Sequence, residues 1–590
     1  MEVLERYVTS TIPPFHDDDD DLADANLPLE VLAYKKAAKK VHPVAASLPE
    51  DVRVIRRRPE DPLLSLPELP SHPPKFLPGM RLIQDCFDAL ELNKSGFLWP
   101  GEVKLAAHVL KLNEAALAWT EAERGRFRDD YFSPVKIPTI AHTPWVHKNI
   151  PIPTGLLDEV IDMFKEKIVA DVYEPSDVSY RSRWFCVPKK NGSLRLVHDL
   201  EPLNAITIRN AAVPPLVDQF VEGIAAHSCY SMLDLLVGYD HRTLDVASRD
   251  LTSFQSPLGA LRNTTLPQGS INAVAIFHSD VTFILEPEIP NVAKLFLDDT
   301  VVMGPRSRYE TPEGGYETMP DNPAIRCFVR EHLIDVHRVL HRLGHTGAAV
   351  SAKKIFLEVP EVIVLGYKCT YEGRIPDDSK VAKVRTWPSC KTVSDVRAFL
   401  GPAGTMRIWI KDFSSIARPL VDLTRKDADF VWQDEHDRAM EQLKAAIIAS
   451  PALIPIDYGS ERKVYLAVDS SFRAVSWILS QDCEDGQRCP SWFGSALSAG
   501  MNASRYSQLK IELYGLFCTL RALQMQIVGV TNLVVEMDAQ YVRGILSNPD
   551  VQPNAAINRW IAAILLFDFK VVHIPAEKHQ GPDGLSPQSL

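Results

Sequence analysis

Two adjacent acids, Asp298 and Asp299, interrupt an apolar run that extends from Val292 to Gly304 (VAKLFLDDTVVMG). Burying one ionised carboxylate without a partner costs several kcal/mol. Strand-forming residues on both sides of the pair therefore leave it few places in a fold. It is either the tight turn of a β-hairpin, where Asp is an ordinary residue, or it faces a cation. Mg²⁺ takes near-octahedral oxygen coordination, which carboxylates on a rigid hairpin supply. Taken alone the turn is the commoner explanation, and the rest of the sequence decides between the two.

Upstream, Tyr230–Asp234 (YSMLD) places another acid at the end of a short apolar strand, with Gly238 and Tyr239 close behind. Between the two acid sites lies Leu266-Pro267-Gln268-Gly269, a loop start followed by a helix-compatible run through Phe277. Further upstream, Trp184–Asn204 contains Lys189-Lys190-Asn191-Gly192 and Arg195. Asn-Gly is a hairpin turn, so these basic side chains project from its tip. Downstream come Lys353-Lys354 and the turn Leu365-Gly366-Tyr367.

A second set of acids follows. Asp469 ends the strand Val464–Val468, and Asp538 closes the strand Leu533–Met537. Glu512 falls within the apolar stripe of an amphipathic helix formed by Leu509, Leu513, Leu516, Phe517 and Leu520. A Glu on a buried face requires a partner, and a metal ion is a suitable one. Asp583 opens the late segment Pro582-Asp583-Gly584-Leu585-Ser586.

The segment 150–370 resembles the fingers and palm of a reverse transcriptase, most of all the polymerase of gypsy-type LTR retrotransposons of the fungal kind, in the order and spacing of these motifs. The acids at 469, 512, 538 and 583 resemble those of the retrotransposon RNase H domain, down to the terminal DGLS. Arg385–Pro388, Val396–Gly401 and Phe413–Pro419 resemble the family's thumb and connection, and Arg126–Pro153 its lead-in. The resemblance implies an α/β and α+β multidomain chain: a right-hand polymerase (fingers, palm, thumb) plus connection and RNase H-like domain. It implies RNA-directed DNA polymerase and RNase H activities, with two Mg²⁺ (or Mn²⁺) ions per active site. Asp234 and Asp298 would ligate the polymerase ions with Asp299 as the weaker acid, and Asp469, Glu512, Asp538 and Asp583 would hold the nuclease ions. Lys189 and Arg195 would neutralise the incoming triphosphate. Tyr239 would be the steric gate against a ribose 2′-OH, Gln268 would touch the nucleotide sugar, and Leu365, Gly366 and Tyr367 would contact the primer. Lys353 or Lys354 matches the Lys of the following motif. The implied partners are an RNA template, a DNA primer, the RNA–DNA hybrid and dNTPs, with no membrane. The implied location is the cytoplasm, in a virus-like particle, or the nucleus. The sequence departs from the family at Phe296, where Tyr is usual, at Asp199-Leu200-Glu201, where Asp-Tyr-Arg is usual, and at His278, where Gln is common.

The 590 residues correspond as a prior to roughly four domains. The expected division is a poorly ordered tail (1–75), a helical lead-in (76–149), fingers and palm (150–370), thumb and connection (371–460) and an RNase H-like domain (461–590). The tail carries five consecutive acids, Asp17 to Asp21, and many prolines, a composition that cannot bury a core of its own. The net charge of −12 weighs against a nucleic-acid binder, although part of it is that local acid run. No apolar stretch reaches the roughly 18 residues of a membrane span, and the N-terminus lacks a basic-then-apolar signal pattern. Nine scattered cysteines without zinc spacing predict free thiols in a reducing compartment. Residues 79–115 predict two helices around Glu91–Glu102, which imperfectly resembles an EF-hand loop through Glu91, Asn93, Ser95, Gly96 and Glu102; a plain helical hairpin is the simpler expectation. The sequence shows no Asp-Ser/Thr-Gly protease motif and no zinc knuckle, so it reads as the polymerase–nuclease piece of a longer element or a degraded copy. The rivals are a catalytically inactive relic that only binds nucleic acid and a structural protein using a captured fold. The relic predicts a lost acid, yet all seven acids are present.

Overall fold

The computed structural model describes residues 44, 46–188, 192, 194–212, 215–426, 428–471, 474–497, 507–538, 540–547 and 555–574. The chain divides into two compact units, with the boundary between Arg374 and Ile375.

The first unit contains α1 (Gln84–Ala89), α2 (Pro100–Leu112), α3 (Leu157–Val169), β1 (Trp184–Pro188), β2 (Leu194–His198), β3 (Tyr230–Asp234), α4 (Ala273–Leu285), β4 (Ala293–Phe296), β5 (Asp299–Met303), α5 (Cys327–His345), β6 (Phe356–Val359), β7 (Glu361–Val364) and β8 (Tyr367–Thr370), and the boundary falls within β9 (Gly373–Pro376). β1 and β2 form the basic hairpin, with Pro188 opposite Leu194; Lys189, Lys190 and Asn191 lie outside the described residues. The central sheet has the order β6-β3-β5-β4. Its apolar side chains Leu233, Leu295 and Val302 join Phe277 and Val281 of α4 and Leu333, Val336 and Leu340 of α5 in one buried cluster. The apolar run around the acid pair is thus a largely buried hairpin whose outer end carries the acids.

The structure corrects the sequence at one place in this unit, and bears out the helical hairpin over 79–115. Residues 50–75 belong to the expected tail, yet they make specific contacts. Arg56 Nε lies 2.7 Å from Asp280 Oδ1, the Arg57 amide donates to Tyr131 O, and His337 Nε2 is 2.9 Å from Pro67 O. The segment does not need its own core because it uses the backs of α4 and α5. Asp280 is 0% exposed and is held between Arg56 and Arg242. The EF-hand-like stretch is no cation loop. Lys94 pairs with Glu91, Asn93 bonds the Leu98 backbone in both directions, and Glu102 turns inward to Arg326.

Glu102 caps α2 by accepting from the Trp99 amide, and accepts from the Arg326 amide and guanidinium at 2.7–2.9 Å. The guanidinium also lies against Phe97, Trp99 and Phe328. Removing one partner of a fully buried pair leaves the other charge uncompensated. Glu102→Ala is expected to destabilise this unit by about 3–5 kcal/mol, read as a lower denaturant midpoint at unchanged slope.

The second unit begins with α6 (Asp378–Arg385), α7 (Val393–Thr405), α8 (Phe413–Asp422) and α9 (Asp434–Ile448). Residues 378–448 are thus mainly helical. A sheet follows, made of β10 (Val464–Ser470), β11 (Ala474–Asp482), β12 (Arg488–Leu497), β13 (Leu533–Met537) and β14 (Lys570–His573), with α10 (Gln508–Ala522) and α11 (Ala555–Ile564). The strand order is β12-β11-β10-β13-β14. β10, β11 and β12 are antiparallel neighbours, while β13 runs parallel to both β10 and β14. Leu513, Leu516 and Leu520 of α10 are buried in the same cluster as Leu466, Val468 and Val535 of the sheet. The Ser414 amide of α8 donates to Ser495 Oγ of β12, so the connecting helices pack on the sheet edge. Cys483 and Cys489 are joined in a disulfide, contrary to the expectation of free thiols, while seven other cysteines are free. The β11–β12 hairpin brings the two together, because the Cys483 amide donates to Gln487 O across its turn.

Candidate active sites

In the first unit, strand register assembles the acids. Asp234, the last residue of β3, stands directly opposite Asp299, the first residue of β5. Leu297 and Asp298 form the two-residue turn between β4 and β5, with Phe296 paired to Asp299. Leu297 sits in the left-handed region at φ 60, as a two-residue hairpin loop demands. The turn is thus Leu-Asp rather than Asp-Asp, and Asp298 is its exposed corner while Asp299 is half-buried. The electrostatics follow. Burial pushes the Asp299 carboxyl up to about 6, with Asp298 and Asp234 adding to the shift. Burial also raises Asp234, opposed by Lys354 and reinforced by Asp298. Like charges converge here without enough counter-charge. Lys354 Nζ, 2.5 Å from Asp234 Oδ2, is a partial substitute.

Other predicted residues take up places around these acids or apart from them. The Tyr239 hydroxyl is raised by burial and then by Asp298, so the ring lies within electrostatic reach of the cluster. Its ring packs 5.2 Å from Phe277. A Cβ on Gly238 would come within 2.5 Å of that same Phe277 ring, so only glycine fits beside it. Gln268 is exposed in a loop that Asn204 holds, donating to Gly269 O and accepting from the Ile271 amide. Arg195 is exposed on β2 opposite Val187. Leu365 and Gly366 form the β7–β8 turn at φ 52 and 81. Tyr367 is buried and donates to Asp218 Oδ1 at 2.9 Å, so it anchors the turn while Leu365 and Gly366 remain half-exposed. Phe296 packs against Phe220, a contact that needs no hydroxyl. Asp199, at the departure from the family, pairs with Arg183.

In the second unit, parallel pairing aligns Ala467 with Glu536. Asp469 and Asp538 each lie two residues further on, at the same end of neighbouring strands. α10 crosses close by, because a Cβ on Gly515 would fall 1.9 Å from Ser470 Oγ. This close approach carries Glu512, 8% exposed, to the strand ends. Burial pushes its carboxyl up to about 7, opposed by a hydrogen bond from Gln508 and reinforced by Asp469 and Asp538. Asp583 lies outside the described residues. Two neighbours escaped the sequence reading. Tyr541 is pushed up to about 12 by burial, then Glu512 and Asp538. His573 Nδ1 lies 4.0 Å from Asp538 Oδ1. His573 reaches that place because β13 and β14 pair Met537 with His573, a proximity with no signal in local sequence.

Comparison with known proteins agrees with this geometry. Residues 187–369 match the family "Reverse transcriptase (RNA-dependent DNA polymerase)", and residues 432–535 match the "RNase H-like domain found in reverse transcriptase". The first range holds Asp234, Asp298 and Asp299; the second starts just before α9 and holds Asp469 and Glu512. The Transposon Tf2-3 and Tf2-7 polyproteins of Schizosaccharomyces pombe are each 24% identical over 440 residues, covering 74% of this chain and 31% of the relative. The chain thus spans about a third of the length of the curated relatives it matches. Among solved structures, the foamy viral protease–reverse transcriptase in complex with dsDNA aligns at TM-score 0.68, 21% identity, over 86% of this chain and 99% of that one. A dRH form of that enzyme with dsDNA aligns at 0.70, 20% identity, over 85% and 83%. The form with an RNA/DNA hybrid aligns at 0.64, 20% identity, over 88% and 66%. The likeness shows a shared fold, that of a retroviral reverse transcriptase with RNase H. The chain carries a reverse transcriptase domain followed by an RNase H-like domain, and is homologous to a segment of the Transposon Tf2 polyproteins.

Proposed function

We propose that this chain copies RNA into DNA from a primer 3′-OH and hydrolyses the RNA strand of the resulting hybrid, as the polymerase–nuclease portion of a gypsy-type retrotransposon. The observation that carries the reading is the convergence of Asp234, Asp298 and Asp299 on paired strand ends, repeated in the second unit by Asp469, Glu512 and Asp538. Both sets offer only oxygen donors and hold raised carboxyls, the donor chemistry of Mg²⁺ or Mn²⁺. When bound, two divalent ions per site would supply charge neutralisation for the attacking and leaving oxygens of an in-line phosphoryl displacement.

The residues of the chain do the rest. Asp234, freed from its Lys354 contact, and Asp298 would hold the ions, with Asp299 supporting from β5. Arg195 of β2, and Lys189 as the resemblance implies, would take the triphosphate oxygens. Leu365 and Gly366 present the turn to the primer. Tyr239, wedged by Phe277, closes the space a ribose 2′-OH would need. In the second unit Asp469, Glu512 and Asp538, with Asp583 as the resemblance implies, would hold the ions that position a water against an RNA phosphodiester. Selection there follows the hybrid's shape and 2′-OH. The retained acids favour this reading over a relic that only binds nucleic acid.

Two measurements test it. Purified chain with an RNA template, DNA primer, dNTPs and Mg²⁺ is expected to extend the primer; absence of extension with either Mg²⁺ or Mn²⁺ rejects the polymerase assignment. Tyr239→Val is expected to lower discrimination against ribonucleotides by roughly tenfold or more, measured as the ratio of kcat/KM for dCTP and CTP. An unchanged ratio removes Tyr239 from the nucleotide site.

A further inference from the structure

Behind the catalytic strands lies a group of side chains that the polymerase chemistry does not use. Cys229 immediately precedes β3, His332 lies on α5 and Glu358 on β6, and all are buried. One ligand atom from each, the Cys229 sulfur, a His332 ring nitrogen and a Glu358 carboxylate oxygen, lies within 4.8 Å of the others. His332 Nε2 and Glu358 Oε1 are 3.6 Å apart. That is too long for a hydrogen bond, but close to the edge of a tetrahedron with bonds of about 2.0 Å.

Three features show that the backbone goes out of its way to place Glu358 here. The β6–β3 pairing shifts register between Phe356 and Val359, so Glu358 falls at an irregularity of the ladder. Such irregularities re-aim a side chain. Glu358 occupies the left-handed region at φ 49, which is strained for a residue with a long side chain. Finally, neither of its carboxylate oxygens has a nitrogen or oxygen hydrogen-bond partner, although the side chain is 0% exposed. Glu358 instead shares a side-chain hydrogen bond with the Cys229 thiol, so a strained backbone brings two proton-bearing ligand atoms together beside His332 in the interior, and a cation that displaces both protons fits there.

We propose that Cys229, His332 and Glu358 form a structural Zn²⁺ site that ties α5 to β3 and β6. Charge supports zinc at this depth: one thiolate, one carboxylate, one neutral imidazole and Zn²⁺ sum to zero. Binding displaces the thiol proton of Cys229 and the carboxyl proton of Glu358 to solvent, and no oxidation or reduction is involved. The soft thiolate and imidazole favour zinc over Mg²⁺. Ser231 Oγ is the neutral oxygen in place to complete four ligands: it lies 2.8 Å from His332 Nε2 and accepts from the Glu358 amide. Ser231 and Asp234 share β3, so the ion would brace the strand that delivers Asp234 to the active site.

The test uses the full chain. After dialysis against Mg²⁺ buffer, elemental analysis is expected to find about one zinc per chain, falling to below about 0.1 in Cys229→Ser and in Glu358→Gln. Reconstitution with Co²⁺ is expected to give a thiolate-to-cobalt charge-transfer band. Cys229→Ser should abolish it, whereas Cys390→Ser, at a buried cysteine of the other unit, should keep it. Wild-type chain that retains no zinc and gives no such band overturns the proposal, and so does a band that survives in Cys229→Ser. The wild-type measurements stand whether or not the variants fold.

Discussion

Asp234→Asn is expected to abolish primer extension, by roughly 10³-fold or more in kcat, while leaving the fold intact. Asn keeps the size and one oxygen of Asp but removes the charge that draws a divalent ion. The fold has little to lose. Lys354, the side chain left without its partner, is 67% exposed and returns to water. Burial already disfavours the ionised form of Asp234, so a neutral replacement relieves a local penalty. Asp299 should respond as well, because Asp234 helps hold its carboxyl up at about 6 and that contribution disappears. Extension on an RNA template measures the first effect, and thermal melting monitored by circular dichroism measures the second. Wild-type extension by a well-folded Asp234→Asn chain would remove Asp234 from the metal site.

Glu512→Gln is expected to eliminate hybrid cleavage, leave primer extension within about twofold, and stabilise the metal-free second unit above neutral pH. The sign of the stability effect follows from the shift. The Glu512 carboxyl moves from its usual 4.5 up to about 7, chiefly through burial. A raised carboxyl stabilises the fold fully below pH 4.5, and that contribution is lost as pH rises through about 7. At pH 8 the wild type therefore carries a buried charge beside Asp469 and Asp538. Gln removes it, for a gain on the order of 2 kcal/mol. Added Mg²⁺ should reverse the ranking, stabilising the wild type by binding its folded state and the variant far less. Cleavage by the wild type should decline as pH falls below about 7, most steeply at low Mg²⁺. Equal melting temperatures for the two proteins at pH 8 without metal would contradict the buried-charge account.

The acids themselves were legible in the sequence because isolated charges in apolar runs are costly and so conspicuous. Asp234, Asp298 and Asp299 fall together through the register of β3 and β5, and Asp469, Glu512 and Asp538 through β10, β13 and the approach of α10 at Gly515. Strand and helix types were readable too, since periodicity is local. The residues that went unread are those whose roles depend on a distant partner. Residues 50–75 look like a solvated tail by composition, but Asp280 of α4 needs Arg56. Glu102 looks like the last ligand of a cation loop, but Arg326 claims it.

What the sequence determined by itself is the chemistry: which carboxylates exist, in what order, on which kind of element, and that two sets of them lie on one chain. What only the tertiary structure decided is which of those charges are relieved by protein and which are left for an ion. Lys354 rather than Lys353 answers Asp234, while Asp299 and Glu512 are left the more strongly raised. His573 stands beside Asp538, and Glu358 turns inward beside Cys229 and His332. The reason is physical. A residue's type and local periodicity are written along the chain, but desolvation and Coulomb interaction depend on distances that only long-range pairing sets.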